Sequence, residues 1–434
     1  MARKRGLGEL PEARPSPMLG AALLLLACVP AGVHAEPSRH SDPPESHVKE
    51  LVESNNRLAW KLHLGSKPAR TQLIASLPIL LELQALTSGA TGETLRELRA
   101  AVGIPEAVDE YDYLSLISRV SSKADYAGLP DGSEGARVRQ QVCSSSLDAA
   151  LWIDDRVTLR QRFINEVHRR TNLEVERVDF HDRAQVQRRV KMWAQRTLKL
   201  DVGDVELPEL SGRVSGILSL CSHQLQAGWH VPFDAQDTIP AAFHTGSGRP
   251  RSVQMMSGRR RVRYVEDELA QVVALQASGG MDTFLVLPRA EVRLDELETR
   301  LSDGLFDRYR SDLKSTPGLV SIPRMIFHGI ADLREPVRSL GVARVFDAAQ
   351  SQLGGSVGGD PMTLVGIRQA SHYAIDEMGI SAAALRVGSP GDVEGLVPQF
   401  EFTANRPFLI VIRHSATGAV LFVGRYAGPV TDTR

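Results

Sequence analysis

The sequence has little cysteine, no excess of charge of either sign and no site for N-linked glycosylation. Three cysteines in 434 residues exclude a small scaffold held together by disulfides, so stability has to come from a large hydrophobic core. The 51 basic and 52 acidic residues give a formal net charge of -1, and no global charge favours a nucleic-acid partner. Because no Asn-x-Ser/Thr sequon occurs, N-glycosylation is not expected.

Two common catalytic signatures are also missing. The sequence contains neither a His-Glu-x-x-His zinc motif nor a Walker-type phosphate-binding loop. Their absence disfavours a metallohydrolase and a nucleotide-dependent enzyme. The chain is therefore not predicted to be an enzyme, and no cofactor or bound metal is expected.

The N-terminus has the three parts of a secretory signal peptide. Basic residues at the start precede an apolar run over residues 18–29, and the small-x-small sequence Val33-His34-Ala35 follows. An apolar run of about 12 residues is too short to cross a bilayer core about 30 Å thick as a helix. Residues 1–35 are therefore predicted to be a signal peptide, with no membrane span and with secretion to the extracellular space.

The chain that follows the signal peptide is predicted to form one domain. Residues 36–47 are polar and rich in proline, so they are expected to be flexible, and residues 48–434 form the domain. Two cysteines remain after cleavage, Cys143 and Cys221. They either pair or stay free.

Helical patterns dominate the first third of the chain, and strand patterns dominate the rest. Residues 147–153 are typical of a buried strand, whereas residues 183–199 form a basic stretch with helical periodicity. Residues 407–412 and 419–424 alternate in the manner of two hairpin strands. Because the helices precede the strands and do not alternate with them, the pattern indicates an α+β protein.

Short motifs spread over residues 50–427 resemble those of the serpin family, in particular of its plasminogen-activator-inhibitor and nexin branch. They are Val178-Asp179-Phe180, Trp193, Gly228-Trp229, Met255-Met256, Leu287-Pro288, Asp376-Glu377-x-Gly379, Asn405-Arg406-Pro407-Phe408-Leu409 and Leu421-Phe422-Val423-Gly424-Arg425. The resemblance implies a serpin fold of three β-sheets and about nine helices, with an exposed reactive-centre loop at about residues 377–400. The tryptophans and the methionine pair are interpreted as core positions.

The resemblance also implies that the protein inhibits a serine protease. In inhibitory serpins the protease cleaves the reactive-centre loop, and the freed loop inserts as a new strand into the largest sheet. The alternative is a non-inhibitory serpin that acts as a carrier, a chaperone or a receptor ligand. A monomer is expected in either case.

The resemblance assigns the hinge of the loop to Glu377, Gly379, Ile380, Ala382, Ala383 and Ala384. Small residues favour insertion, and Ile380 is apolar, so it is expected to slow insertion without preventing it. Because side chains alternate along a strand, Ile380, Ala382 and Ala384 would face the core, and Arg386 would follow them. A buried arginine without a partner is costly, and Gly388 and Pro390 come next, so insertion is expected to stall.

The bond that the protease cleaves is expected at Val393, Glu394, Gly395 or Leu396. Counting from the hinge gives Val393, and counting back from the C-terminal motif gives Leu396. Both residues suit the primary pocket of an elastase-like or chymotrypsin-like protease. The loop has one basic residue, Arg386, which lies too near the hinge, so a trypsin-like target is not favoured.

The resemblance places the sheet-opening region around Cys221, Trp229 and His372. Many serpins have a polar cluster there, formed by two serines, an asparagine and a histidine. In an ungapped register the four positions carry Ala75, Pro78, Cys221 and His372. A shift of one residue would bring Ser76 or Ser222 there instead. His372 is interpreted either as a switch or as a buried histidine with one hydrogen bond.

Two basic stretches are candidate sites for a heparin-like glycosaminoglycan. One consists of Arg259, Arg260, Arg261 and Arg263, and the other is the helical stretch 183–199. Screened electrostatic attraction would bind a polyanion at either stretch. A solvated basic face is the commoner explanation of such runs.

Overall fold

The computed structural model describes residues 45–66, 71–104, 110–120, 143–171, 173–198, 215–245, 249–355, 362–381 and 397–429. The predicted signal peptide lies outside these ranges. So do the hinge residues Ala382, Ala383 and Ala384, and all four residues of the expected scissile region, Val393, Glu394, Gly395 and Leu396.

The described residues contain nine α-helices. They are α1 Glu45–Ser66, α2 Ser76–Thr87, α3 Gly92–Val102, α4 Glu110–Val120, α5 Gln161–Thr171, α6 Arg183–Leu198, α7 Leu294–Arg300, α8 Phe306–Asp312 and α9 Arg334–Ser339. Helix α1 corrects one prediction, because residues 45–47 of the segment expected to be flexible form its first turn. The acidic Glu45 stabilises this N-terminal turn, and Val48 is already buried.

Fifteen β-strands lie in the same residues. They are β1 Gln72–Ala75, β2 Cys143–Asp154, β3 Glu174–Val178, β4 Ser215–Gly228, β5 Thr238–Phe243, β6 Arg251–Glu266, β7 Ala270–Ala277, β8 Met281–Pro288, β9 Lys314–Pro323, β10 Met325–Asp332, β11 Met362–Ile375, β12 Gly379–Ile380, β13 Phe400–Thr403, β14 Phe408–His414 and β15 Val420–Tyr426. The predicted C-terminal hairpin is confirmed, since β14 and β15 pair antiparallel.

The strands form two hydrogen-bonded networks. The first has six strands in the order β10-β11-β12-β4-β2-β3, and the second has nine, in the order β1-β15-β14-β8-β7-β6-β9-β13 with β5 also on β6. Three sheets were expected, and strand β6 explains why only two hydrogen-bonded networks are found among the described residues. It pairs with β5 and β9 along most of its length and with β7 only at its end, so it joins two sheets into one network.

Helix α2 lies between the two networks, and α6 covers the outer face of the six-stranded sheet. Helix α2 is buried along most of its length and contacts β2, β4 and β15. Helix α6 is the predicted basic helix: Val186, Val190 and Ala194, spaced by four residues, pack against Trp152 and Leu218. No helix in the described ranges is long and apolar enough to cross a membrane.

Candidate functional site

Two residues of the predicted hinge, Gly379 and Ile380, already lie inside the six-stranded sheet. Strands β4 and β11 pair in parallel as far as Ala370 and Ser222. Beyond that point β12 lies between them, antiparallel to both, with Ile380 opposite Ala227 on β4 and Ile375 on β11. The side chain of Ile380 is 0% exposed. At this end of the sheet, β4 and β11 are therefore not paired with each other, and Gly379 and Ile380 lie between them.

A tight turn reverses the chain between β11 and β12. The carboxylate of Asp376 accepts hydrogen bonds from the backbone N–H groups of Met378 at 2.8 Å and Gly379 at 3.2 Å. Trp229 holds the turn from the β4 side. Its backbone N–H donates to the carbonyl of Met378, and its indole N–H donates to the carbonyl of Asp376, both at 2.9 Å. Trp229 is thus a buried core residue that also fixes the entry of the loop.

Gly379 is required at this entry by both backbone conformation and space. Its φ is +150°, a region that other residues rarely adopt. A Cβ atom at this position would lie 2.1 Å from the carbonyl oxygen of Ala227 and 2.8 Å from the Cα atom of Gly228. Both are backbone atoms of β4, so the clash with an added Cβ atom cannot be relieved by the movement of a side chain.

Gly379→Ala is expected to expel the hinge from the sheet. Ile380 would become exposed, which costs about 1.5–3 kcal/mol for a fully buried isoleucine. Hydrogen–deuterium exchange measures the effect as faster exchange of the backbone N–H groups of Gly379–Ile380. Gly341→Ala is a matched control, because Gly341 also has a positive φ of +88° but nothing lies within 4 Å of its added Cβ. Equal exchange rates in both variants would contradict the role assigned to Gly379.

Glu377 anchors the start of the loop to the rest of the domain. Its two carboxylate oxygens accept hydrogen bonds from Nε of Arg324 at 2.8 and 3.0 Å, and the hydroxyl of Thr238 donates to one of them at 2.5 Å. Burial alone would raise the pKa of this carboxyl group. The hydrogen bonds from Arg324 and Thr238 outweigh burial and hold the pKa below its ordinary value. Glu377 is therefore ionised at neutral pH.

Gln369 lies near the end of the direct pairing between β4 and β11. We call this place, where Gln369 lies opposite Cys221, the junction. The Nε2 atom of Gln369 is 3.9 Å from the Cys221 sulfur. Its side-chain amide donates to the carbonyl of Ala75 at 2.7 Å and accepts from the N–H of Ala75 at 2.9 Å. Ser76 is turned away from this junction and donates to Asn55 at 2.9 Å. The sheet-opening position expected for a histidine is thus occupied by glutamine.

The structure corrects the assignment of His372 to the sheet opening. His372 lies three residues beyond Gln369 on β11, and residues three apart on a strand face opposite sides of the sheet. Gln369 faces the core, whereas His372 lies on the outer face, opposite His328 of β10. Of the three residues predicted for this region, Cys221 lies at the junction and Trp229 lies at the hinge.

A buried carboxyl group lies beneath the same junction. Glu82 of α2 is 0% exposed and faces Ser219 and Cys221 of β4. Within the described part of the chain, neither of its oxygens has a hydrogen-bond partner of good geometry. Burial raises its pKa to about 8, and the two polar neighbours oppose this effect only in part. Glu82 is therefore mostly uncharged at pH 7.

The comparisons with known proteins agree with this geometry. The model of the family Serpin (serine protease inhibitor) matches residues 53–429, which is most of the chain. The chain belongs to the serpin family. Human Serpin B11 is 24% identical over 82% of this chain and 92% of its own length. Iripin-3 of Ixodes ricinus is 24% identical over 87% of this chain and 94% of its own.

Solved serpin structures share the fold. Human thyroxine-binding globulin superposes with a TM-score of 0.74 at 17% identity, covering 88% of this serpin and 100% of that chain. Native protease nexin-1, solved with heparin, superposes with a TM-score of 0.72 at 20% identity, covering 89% and 100%. At these identities the similarity shows the fold alone.

The four arginines predicted as a polyanion site on β6 do not form one basic surface in this serpin. Arg259 and Arg261 are exposed. Arg260 points to the other side of the strand and is 4% exposed, with its guanidinium 3.5 Å above a phenylalanine ring. Arg263 forms an ion pair with Asp282 at 2.6 Å. Two of the four predicted residues are thus available to a polyanion.

Cys143 and Cys221 do not pair in this serpin. Both are free and buried. They lie on different strands at different heights, Cys143 of β2 opposite Ala227 and Cys221 of β4 opposite Ala149. Burial raises the pKa of the Cys143 thiol to about 11, which keeps it protonated.

Proposed function

We propose that the protein is a secreted, monomeric serpin that inhibits an elastase-like or chymotrypsin-like serine protease by loop cleavage and strand insertion. The observation that carries the proposal is the position of β12 between β4 and β11. A strand antiparallel to both neighbours already occupies the open end of the sheet. Further loop residues can extend this strand in the same register. The chain needs no catalytic group of its own, because the protease performs the chemistry.

The register of β12 indicates where the next loop residues would go on insertion. Ile380 lies opposite both Ala227 and Ile375, and six residues further along each strand are Arg386, Cys221 and Gln369. Residues directly opposite each other in a sheet present their side chains on the same face. In the inserted loop, Arg386 would therefore point toward the core between the two residues that now close the junction.

Glu82 would meet Arg386 at this place. Its carboxyl group faces Cys221 from below and has no hydrogen-bond partner of good geometry within the described ranges. On insertion it would release its proton and accept hydrogen bonds from the guanidinium, so neither charge would be buried alone. A sequence that contains Arg386 in the inward register can then still insert. Pro390, which lacks an N–H, remains the next obstacle.

Incubation with chymotrypsin or elastase tests the inhibitory function. We expect a covalent serpin–protease band on a denaturing gel, and no such band with trypsin. Two loop variants provide a matched pair, since alternation from Ile380 turns Ala384 inward and Ala383 outward. Ala384→Arg should be cleaved without forming the covalent band, because a second buried charge blocks insertion. Ala383→Arg should form the band as the wild type does.

Other outcomes of the same experiment would support a non-inhibitory function. Cleavage of the wild type without a covalent band, together with an unchanged thermal unfolding midpoint, would indicate a non-inhibitory serpin such as a carrier, a chaperone or a receptor ligand. Thyroxine-binding globulin, whose structure was solved with thyroxine, is one of the similar serpins.

A heparin-like glycosaminoglycan is a further proposed partner. The support is the exposure of Arg259 and Arg261 on β6 and of several basic residues on α6, among them Arg188 and Arg196. Protease nexin-1, a serpin of similar structure, was solved with heparin. Because two of the four arginines in the predicted cluster, Arg260 and Arg263, are buried or paired, we propose that such binding is weak and sensitive to salt.

A further inference from the structure

Two histidines lie directly opposite each other on the outer face of the six-stranded sheet. His328 of β10 and His372 of β11 occupy the same position in the antiparallel register. Their Nδ1 atoms are 3.3 Å apart, and the planes of their rings make an angle of 81°. His328 is exposed and His372 is half-buried, so solvent reaches the pair.

The separation of the two nitrogens is the one that a tetrahedral metal ion requires. A Zn²⁺ ion binds imidazole nitrogen at about 2.0–2.1 Å, so two ligands at the tetrahedral angle lie about 3.3 Å apart. Both nitrogens belong to side chains on strands that are firmly paired along Met325–Asp332. No rearrangement of the backbone is needed to bring the ligands together.

We propose that His328 and His372 form a bis-histidine site for a divalent transition-metal ion, with Zn²⁺ as the probe. Imidazole is a good ligand for zinc, copper and nickel. Among the described residues there is no group of three or more histidine, cysteine or acidic side chains that could hold a metal. Water therefore completes the coordination of an ion bound by this pair.

The surroundings keep both imidazoles available. The neighbouring register pairs on this face are Ile326 with Ala374 and Ile330 with Ala370, so no carboxylate or cation occupies the adjacent positions. Without metal, the 3.3 Å distance permits one Nδ1–H to donate to the other Nδ1. Metal binding needs the lone pairs of both Nδ1 atoms, so an imidazole that carries its proton on Nδ1 moves it to Nε2.

Titration of the full chain with ZnCl2 tests the proposal. A metal that binds only the folded state stabilises it, so the thermal unfolding midpoint should rise with Zn²⁺ and then saturate. His328→Ala and His372→Ala should each lower the Zn²⁺ affinity, measured by calorimetry, by about tenfold or more. His168→Ala on α5 removes another exposed histidine and should leave the affinity unchanged.

Two results would overturn the metal site. One is a wild-type unfolding midpoint that does not respond to Zn²⁺, which would leave a hydrogen bond between the two imidazoles as their whole role. The other is equal Zn²⁺ affinity in the wild type and in both alanine variants, which would place the metal on other histidines. Both variants alter solvent-accessible side chains, and their unfolding midpoints without metal check that they fold. Since the test does not involve a protease, its outcome is independent of the proposed inhibition.

Discussion

Glu82→Gln is expected to raise the thermal unfolding midpoint of the uncleaved protein at pH 7 and above. An ordinary glutamate in the unfolded chain ionises near pH 4.5, whereas burial raises the pKa of Glu82 in the folded state to about 8. Folding therefore takes up a proton between these two values, and native stability falls as the pH rises through that range. The penalty is about 3 kcal/mol at pH 7 and about 5 kcal/mol above pH 8. The side-chain amide of glutamine does not ionise, so the variant does not lose this stability as the pH rises.

Thermal melts between pH 5 and pH 9 measure this effect. The difference between Glu82→Gln and the wild type should be small at pH 5 and should grow until about pH 8. His223, whose pKa burial lowers to about 3, contributes its own pH dependence below about pH 6.5, but it does so equally in the wild type and in the variant and cancels in their difference. Burial also keeps the Cys221 thiol protonated by raising its pKa well above the ordinary value. Glu53→Gln on the exposed face of α1 is the control, and a similar gain there would rule out burial of Glu82 as the cause.

In the cleaved, loop-inserted form the same substitution is expected to have the opposite effect. There Glu82 would pair with Arg386, and removal of one partner from a buried ion pair typically costs about 3–5 kcal/mol. Glu82→Gln and Arg386→Gln should each lower the unfolding midpoint of the cleaved protein. The double variant should lose much less than the sum of the two, because neither charge is then left unpaired.

A double-mutant cycle on the cleaved protein measures this coupling. Additive losses would contradict the pairing of Glu82 with Arg386, even if the loop inserts. A wild-type unfolding midpoint that does not change on cleavage would instead show that the loop does not insert at all. The two failures are therefore distinguishable. The uncleaved forms of the same four proteins serve as the reference.

Prediction from sequence succeeded where the signal lies within one continuous segment. The periodicity of Val186, Val190 and Ala194 indicated α6, and the alternation near the C-terminus indicated the hairpin of β14 and β15. Strands β1, β5, β10, β12 and β13, and most of β6, were not predicted. Arginines interrupt the apolar pattern of β6, and β13 has four residues, which is too few for a period to be recognised.

In the candidate site, too, the residues within a local sequence motif were predicted, and residues outside such motifs were missed. Gly379 and Glu377 were found from the motif that contains them, and the structure gives both a physical role at the entry of the loop. Gln369 was missed because a count along the sequence assigned its role to His372. A difference of three residues moves a side chain to the other face of the sheet. Glu82 was also missed, although a single acidic residue within the apolar helix α2 was a visible signal.

The sequence by itself determined the family, the position of the hinge and the problem that Arg386 poses for insertion. These depend on which residues follow one another along the chain. The tertiary structure decided which groups face each other across distant segments. It placed Gln369 against Cys221, brought Glu82 beneath their junction and set His328 opposite His372. Strand register and helix packing determine such contacts, and they depend on the whole hydrophobic core and not on any one segment.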